Sequence, residues 1–379
     1  MRIAVLGGAG DIGRAAVRFM LAMPGVHRVT VADIRIDKAA EVVRDQGDGR
    51  AVAAPIDIAD RPRLIELMRE HDVTLGAAGP FYRFEEGVVR AAVEAGAAYV
   101  SVCDDHDATE TVLALDGPAR ERKARILVGA GWTPGLSNSL AKRAAESMDR
   151  VDAIRIAWAG ASADAPGHAV LLHTLHIFAG TVPSFRGGRL VRVAAGGEPE
   201  LVRFPPPVGT VRVFTVGHPE PITVPVHIGR GIQECHLKGG LKEPVLTTLA
   251  VAISRLGLIA TPARQRRVAA LIKPALPLLE RLGPRSTPCS AIRVDVSGTR
   301  AGTPARESWG AADRMAILTA LPAALITHRL GQGIITRLGV YPPEADGAVD
   351  PRWLCQAASE RGLAIINMGG EQAHGDHHR

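Results

Sequence analysis

The apolar run Arg2-Ile3-Ala4-Val5-Leu6 breaks into Gly7-Gly8-Ala9-Gly10-Asp11-Ile12-Gly13 and then into an alanine-rich helical pattern through Met23. Glycines spaced as Gly8-x-Gly10-x-x-Gly13, between a strand and a helix, turn the chain tightly. They also bring backbone close to a pyrophosphate and let the helix pack on the strand. The phosphates are expected at the helix amino terminus, where Asp11 and Ile12 form the first turn. A second strand, Val29 to Ala32, ends in Asp33, 20 residues beyond Gly13. An acid at that place hydrogen-bonds the adenosine ribose hydroxyls of a dinucleotide. Asp33 repels a ribose phosphate and favours NAD, while Arg35, just past Ile34, can reach such a phosphate and leaves NADP open. The expected fold class is α/β, an amino-terminal Rossmann doubly wound parallel sheet followed by an α+β domain with a mixed sheet.

The series continues with a strand over Ala51 to Ile56 and then Asp57-Ile58, placed either to contact the adenine amino group or to cap a turn. A fourth strand, Val73 to Ala77, runs into Ala78-Gly79-Pro80-Phe81-Tyr82, whose small residues admit the nicotinamide side of the cofactor. A helix over Glu85 to Ala95, Gly96 and a fifth strand over Tyr99 to Val102 lead to Cys103-Asp104-Asp105-His106-Asp107. Three carboxylates and an imidazole at the end of a central strand suit acid–base chemistry. The other account is a cap for a helix over Ala108 to Leu115. A helix (Pro118 to Ala124) and a strand (Ile126 to Val128) precede Gly129-Ala130-Gly131-Trp132-Thr133-Pro134-Gly135.

Past Val151 the alternation of strand and helix gives way to short β-prone runs (Ala153 to Ala159, Leu190 to Val193, Val211 to Phe214, Ala291 to Gly298). Helices are expected over Thr247 to Leu258, Arg267 to Leu282, Met315 to Leu330 and Pro351 to Arg361. At about 150 residues per domain, 379 residues hold two to three domains. The boundaries read as a dinucleotide-binding domain over 1–130 and a second domain over 131–330.

The glycine fingerprint, the Gly79-Pro80-Phe81 segment with Glu94-Ala95-Gly96-Ala97-Ala98-Tyr99-Val100 after its helix, and the Gly129-Ala130-Gly131-x-x-Pro134-Gly135 turn together resemble the saccharopine dehydrogenase family. The likeness is nearest to its lysine 6-dehydrogenase-like branch. Val216 to Thr223, Gly239-Gly240 and Gly339 to Glu344 are similar to further turns of that family. The resemblance implies hydride transfer between a nicotinamide cofactor and a C–N centre of an amino acid, an amine or a derived imine. It also implies that the mixed sheet of 131–330 serves substrate binding and dimerisation, and that the carboxyl terminus, 331–379, returns to complete the nucleotide domain. Asp104, Asp105 and His106 are then the acid–base candidates, with Cys103 either assisting or simply a buried thiol. The competing chemistries are a lyase or transferase that recycles bound NAD, and a non-catalytic dinucleotide-binding protein.

Other classes have little support. Forty-five basic against 39 acidic side chains leave +6, but the dense run Arg264, Arg266, Arg267 has no aromatic neighbour for stacking on nucleic acid. No stretch reaches the roughly 20 apolar residues of a membrane span. Cys103, Cys235, Cys289 and Cys355 form no CxxC pair, and a strand begins at once after Met1. Reduced thiols and no leader predict a cytoplasmic protein, and the resemblance implies a homodimer acting on a small molecule. Gly-x-Ser-x-Gly and phosphate-loop motifs are absent. His173 and His176 share a helical face and either line the substrate pocket or are core or interface histidines. With His168 they lack a further ligand nearby, so no metal is expected, and His374, His377 and His378 lie in a polar tail.

Overall fold

The computed structural model describes residues 1–164, 168–273 and 288–369, apart from the side chains of His168 and Ala169. The chain divides into two compact units, residues 1–139 with 316–361, and residues 140–315 with 362–379. The breaks therefore fall after Ser139 and Met315 rather than at 131 and 331. The segment from Gly362 goes with the second unit, because its strand pairs there.

In the first unit the elements alternate as β1 (Arg2–Leu6), α1 (Asp11–Leu21), β2 (Arg28–Asp33), α2 (Ile36–Gln46), β3 (Ala51–Pro55), α3 (Arg61–Arg69), β4 (Val73–Gly76), α4 (Phe81–Ala95), β5 (Ala98–Ser101), α5 (His106–Leu113), α6 (Asp116–Glu121) and β6 (Arg125–Leu127). Helix α7 (Leu136–Ala145) then leads out of it.

The second unit contains β7 (Arg150–Gly160), α8 (His168–Ile177), β8 (Thr181–Arg186), β9 (Arg189–Ala194), β10 (Glu200–Arg203), β11 (Thr210–Thr215), α9 (Glu220–Ile228), β12 (Glu234–Leu241), α10 (Pro244–Arg255), α11 (Pro262–Ile272), β13 (Ser290–Arg300) and β14 (Thr303–Asp313). The chain returns to the first unit in α12 (Met315–Gly331), β15 (Gly339–Tyr341) and α13 (Pro351–Ser359), and ends its described part with β16 (Ile365–Asn367).

The first sheet has the order β15-β6-β5-β4-β1-β2-β3, and every neighbouring pair is parallel. A parallel sheet needs cover on both faces, so its strands are largely apolar, and in β1 Ile3, Ala4, Val5 and Leu6 are all buried. Helix α1 buries Gly13, Ala16, Val17, Met20 and Leu21, an i, i+3, i+4, i+7, i+8 stripe. The strand order reverses between β1 and β4. The carboxyl ends of those two strands are where an open α/β sheet leaves a crevice for a ligand.

The second sheet is mixed. Its main path runs β10-β11-β12-β7-β13-β14-β16, with β12 and β7 parallel and the other pairs on that path antiparallel, while β8 and β9 branch from β12. Strand β12, at its centre, is not apparent in the sequence, where Glu234, His236 and Lys238 read as polar. The expected helix over Arg267 to Leu282 falls partly outside the described residues, and α11 ends at Ile272. No helix among the described residues is long and apolar enough to cross a membrane.

Candidate functional site

The loop after β1 is shaped by close approaches. Gly7 and Gly8 donate backbone N–H groups to the Ala32 carbonyl at 2.9 and 3.2 Å, which folds the loop over the end of β2. A side chain on Gly13 would collide with the Gly7 carbonyl, one on Gly8 would come within 2.7 Å of Val31 Cγ1, and one on Gly7 would come within 2.8 Å of the Ala77 carbonyl. The loop after β1 thus rests directly on the start of Ala78-Gly79-Pro80-Phe81. Gly10 is the N-cap of α1 and offers no side chain to its first N–H groups, so Asp11, Ile12 and Gly13 begin a helix without a side-chain cap. Asp33 is buried at the end of β2. Its Oδ2 accepts from Ala9 N–H at 3.1 Å and its Oδ1 from Arg35 N–H at 3.0 Å, with Arg35 Nε 3.4 Å away. The carboxylate thus ties the end of β2 to the loop after β1. Asp57 is exposed, and its Oδ1 accepts from Ala59 N–H at 2.9 Å, closing a turn beside the half-buried Ile58.

At the ends of β4 and β5 lies a second group of polar side chains. Glu85 of α4 is 2% exposed, and Tyr99 Oη donates to it at 3.2 and 3.4 Å. Gly76 leaves the space that the Tyr99 hydroxyl fills. Burial drives the Glu85 carboxyl up to about 7. Hydrogen bonds from Ser101 and Tyr99 pull the other way, and the negative charge of Asp105 and Asp104 adds to the rise. An acid in that range can hold or release a proton near neutrality. Sequence reasoning missed it by starting the helix at Glu85. Helix α4 begins at Phe81, which puts Glu85 on the buried stripe with Val88, Val89 and Ala92.

Asp105 is fully buried and sits at the N-cap of α5, yet its side chain makes no cap bond to that helix. Its Oδ2 instead accepts from Tyr82 N–H at 2.8 Å, in the first turn of α4. Asp107 lies inside the first turn of α5 and accepts from Ala108 N–H at 2.9 Å. Asp104 is half-buried and His106 is 7% exposed. Cys103 does not suit the catalytic part expected of it. It is fully buried with Sγ 3.8 Å from the Asp105 carbonyl, and burial, then the charges of Glu85, Asp105 and Asp104, hold its thiol well above the ordinary value. A thiol kept protonated in this way is a poor nucleophile.

In the second unit, His173 and His176 both lie on α8. The His173 ring meets His218 edge-on at 5.6 Å, and Trp158 of β7 lies 6.1 Å from His218. His218 Nδ1 is 3.6 Å from Glu220 Oε2, and both residues are buried. Neither was singled out, because Gly217-His218-Pro219-Glu220-Pro221 reads as a turn. Pro219 is in fact the N-cap of α9, and Pro221 lies in its first turn. The side chain of His168, and His374, His377 and His378, lie outside the described residues.

Residues 3–127 match the family described as saccharopine dehydrogenase NADP binding domain. The chain carries the nucleotide-binding domain of the saccharopine dehydrogenase family. Over 97% of its length it superposes on 99% of apo saccharopine dehydrogenase (L-Glu forming) from Saccharomyces cerevisiae, with a TM-score of 0.67 at 13% identity, which shows a shared fold. A "lipid droplet localized protein" of Caenorhabditis elegans is 30% identical over 139 residues, 34% of this chain and 33% of that protein. The match to that relative thus spans a third of its length. The residues of this saccharopine dehydrogenase-type domain fit a nicotinamide dinucleotide. The uncapped start of α1 and the side-chain-free Gly8 and Gly10 suit its phosphates, and Asp33 with Arg35, at the end of β2, would hold its adenosine ribose.

Proposed function

We propose that the protein is an NAD(P)-dependent oxidoreductase acting at the C–N centre of an amino acid, an amine or an imine derived from one, with NAD the preferred carrier. The observation that supports this is that one unit carries, at the same ends of one sheet, a glycine-rich loop leading into an uncapped helix and a carboxyl that burial pushes up to about 7. The nicotinamide, when bound, accepts or donates the hydride. The protein must supply the proton chemistry, because an amine has to lose a proton before its carbon gives up hydride. Asp104, the half-buried member of the turn after β5, is assigned that exchange, with Asp105 and His106 beside it. Glu85 lies behind them as a second proton store. The buried Asp33 carboxylate would meet a ribose phosphate with repulsion, which supports NAD, while the Arg35 guanidinium, 61% exposed, supports some tolerance of NADP.

A thermal-shift titration with NAD(H) and NADP(H), on the native protein and on Asp33→Ala, tests the cofactor. At about 100 times Kd a bound cofactor adds roughly 2.7 kcal/mol. A shift with NAD(H) that is lost in Asp33→Ala is expected, and no shift with either nucleotide overturns the proposal. Incubation with a panel of amines and amino acids should then accumulate reduced nicotinamide. Product without net reduction would instead place the protein among enzymes that recycle bound NAD.

A further inference from the structure

One face of the second sheet carries a cavity of about 380 Å³ whose lining includes Arg155, Glu200, Glu234, His236, Lys238 and Asp295. The register explains why it exists. Arg155 of β7 stands opposite His236 of β12 on one side and Asp295 of β13 on the other. Its neighbours on the same face of β7 are Ala153 and Ala157, so short side chains flank one long one and leave room above the strand.

The carboxylates around this space are already committed. Glu198 takes both oxygens to Arg186 at 2.8 Å, and Glu200 accepts from Lys238 at 2.7 Å. Glu234 lies 2.8 Å from His236 Nε2 and accepts from Gly187 N–H at 3.2 Å. Asp295 accepts from Arg293 at 2.8 and 3.0 Å, from Arg306 at 3.3 Å, and from the Ser308 hydroxyl. Arg155, exposed at the centre, makes no side-chain hydrogen bond or ion pair with any described residue. The acid directly across the ladder has its oxygens turned to other cations.

We propose that this cavity is a binding site for a small oxyanion, a carboxylate or a phosphate group, held by the fork of Arg155 within a frame of preformed ion pairs. A guanidinium presents paired donors that match either group, and the surrounding pairs fix the walls before a ligand arrives. The volume is that of a small-metabolite site. The site lies wholly in the second unit and does not depend on the nucleotide chemistry proposed for the first.

The test is calorimetric titration of the full-length protein, without nucleotide and in low-salt chloride buffer, with inorganic phosphate and separately with succinate. Saturable binding of at least one probe is expected. It should weaken by about tenfold or more in Arg155→Gln, be partly retained in Arg155→Lys, and be unchanged in Arg255→Gln on α10. Tighter phosphate binding identifies a phosphorylated ligand, and tighter succinate binding a carboxylic acid. The melting temperature of Arg155→Gln should match that of the native protein, since its side chain has no partner to lose. If that variant unfolds, Arg155→Lys against Arg255→Gln carries the comparison. No saturable binding of either probe, or equal weakening in Arg255→Gln, overturns the proposal.

Discussion

A glutamate enclosed among Tyr99, Ser101, Cys103 and the Asp104-Asp105 pair is more stable as the neutral acid, and at Glu85 this has a measurable consequence. The folded state raises its pKa from 4.5 to about 7, so it binds the proton more tightly than the unfolded chain does. The stabilising contribution is complete below about pH 4.5 and is lost as pH rises through about 7. The shift corresponds to something on the order of 3 kcal/mol. Glu85→Gln keeps a neutral side chain of the same shape at every pH. Between about pH 5 and pH 8 the urea midpoint of the native protein should therefore fall relative to that of Glu85→Gln. Parallel pH profiles for the two proteins would refute this account of Glu85. The residue was legible only in part. Its i, i+3, i+4, i+7 relation to Val88, Val89 and Ala92 marks a buried position, but a charged residue near a helix start reads by default as solvated. Asp33 was legible because its distance from Gly13 is set by the length of one βαβ turn. Arg155 was not, because alternation along β7 says which face it occupies and nothing about which acids across the sheet are already engaged.

At the level of elements, α4 is held at its amino terminus by a residue from another element. Pro80 at its N-cap provides no side-chain acceptor, and Asp105 supplies one to Tyr82 N–H across the sheet end. Asp105→Ala should cost about 1–2 kcal/mol, as the loss of a helix cap does, and Asp105→Asn, which keeps an acceptor, should cost less. Removing the carboxylate also removes a like charge beside Glu85. The pH at which stability falls should then move down in both variants, as read from urea midpoints across pH. A midpoint that stays put in Asp105→Asn would show that the two acids do not interact. The six strands of the amino-terminal series fall within a residue or two of their sequence positions, because apolar runs bounded by glycine and aspartate leave little choice. Strand β12 escaped notice for the opposite reason. Its half-buried face carries Glu234, His236 and Lys238, so no apolar run announces it, and it is a strand because β7, β8 and β11 pair with it. Helix α9 was taken for a turn because three prolines fall within seven residues, Pro219, Pro221 and Pro225, although the first two sit where a helix start tolerates them.

For the molecule as a whole, the first unit is built from two separated stretches of chain. Strand β15 pairs with the outer edge of β6, Gly339 N–H donates to the Ala124 carbonyl at 2.9 Å, and Arg125 reaches the Leu330 carbonyl at 3.0 Å. A fragment of residues 1–139 leaves that edge bare and lacks α12. It should melt without cooperativity and show no nucleotide-induced shift, whereas the same fragment linked to residues 316–361 should recover both. A cooperative melt of 1–139 alone would show that the returning segment is dispensable. The sequence by itself determined that a parallel doubly wound sheet stands at the amino terminus, with a glycine-rich loop after its first strand and an acid at the end of its second, since those features depend on spacings within one or two neighbouring elements. Only the tertiary structure decided which carboxyl is buried beside the strand ends, that Cys103 is sealed and protonated, that Asp105 caps a helix other than its own, and that Arg155 alone among the cavity's charges is left for a ligand. Desolvation and charge pairing arise between elements distant in sequence, and no local pattern of residues encodes how those elements meet.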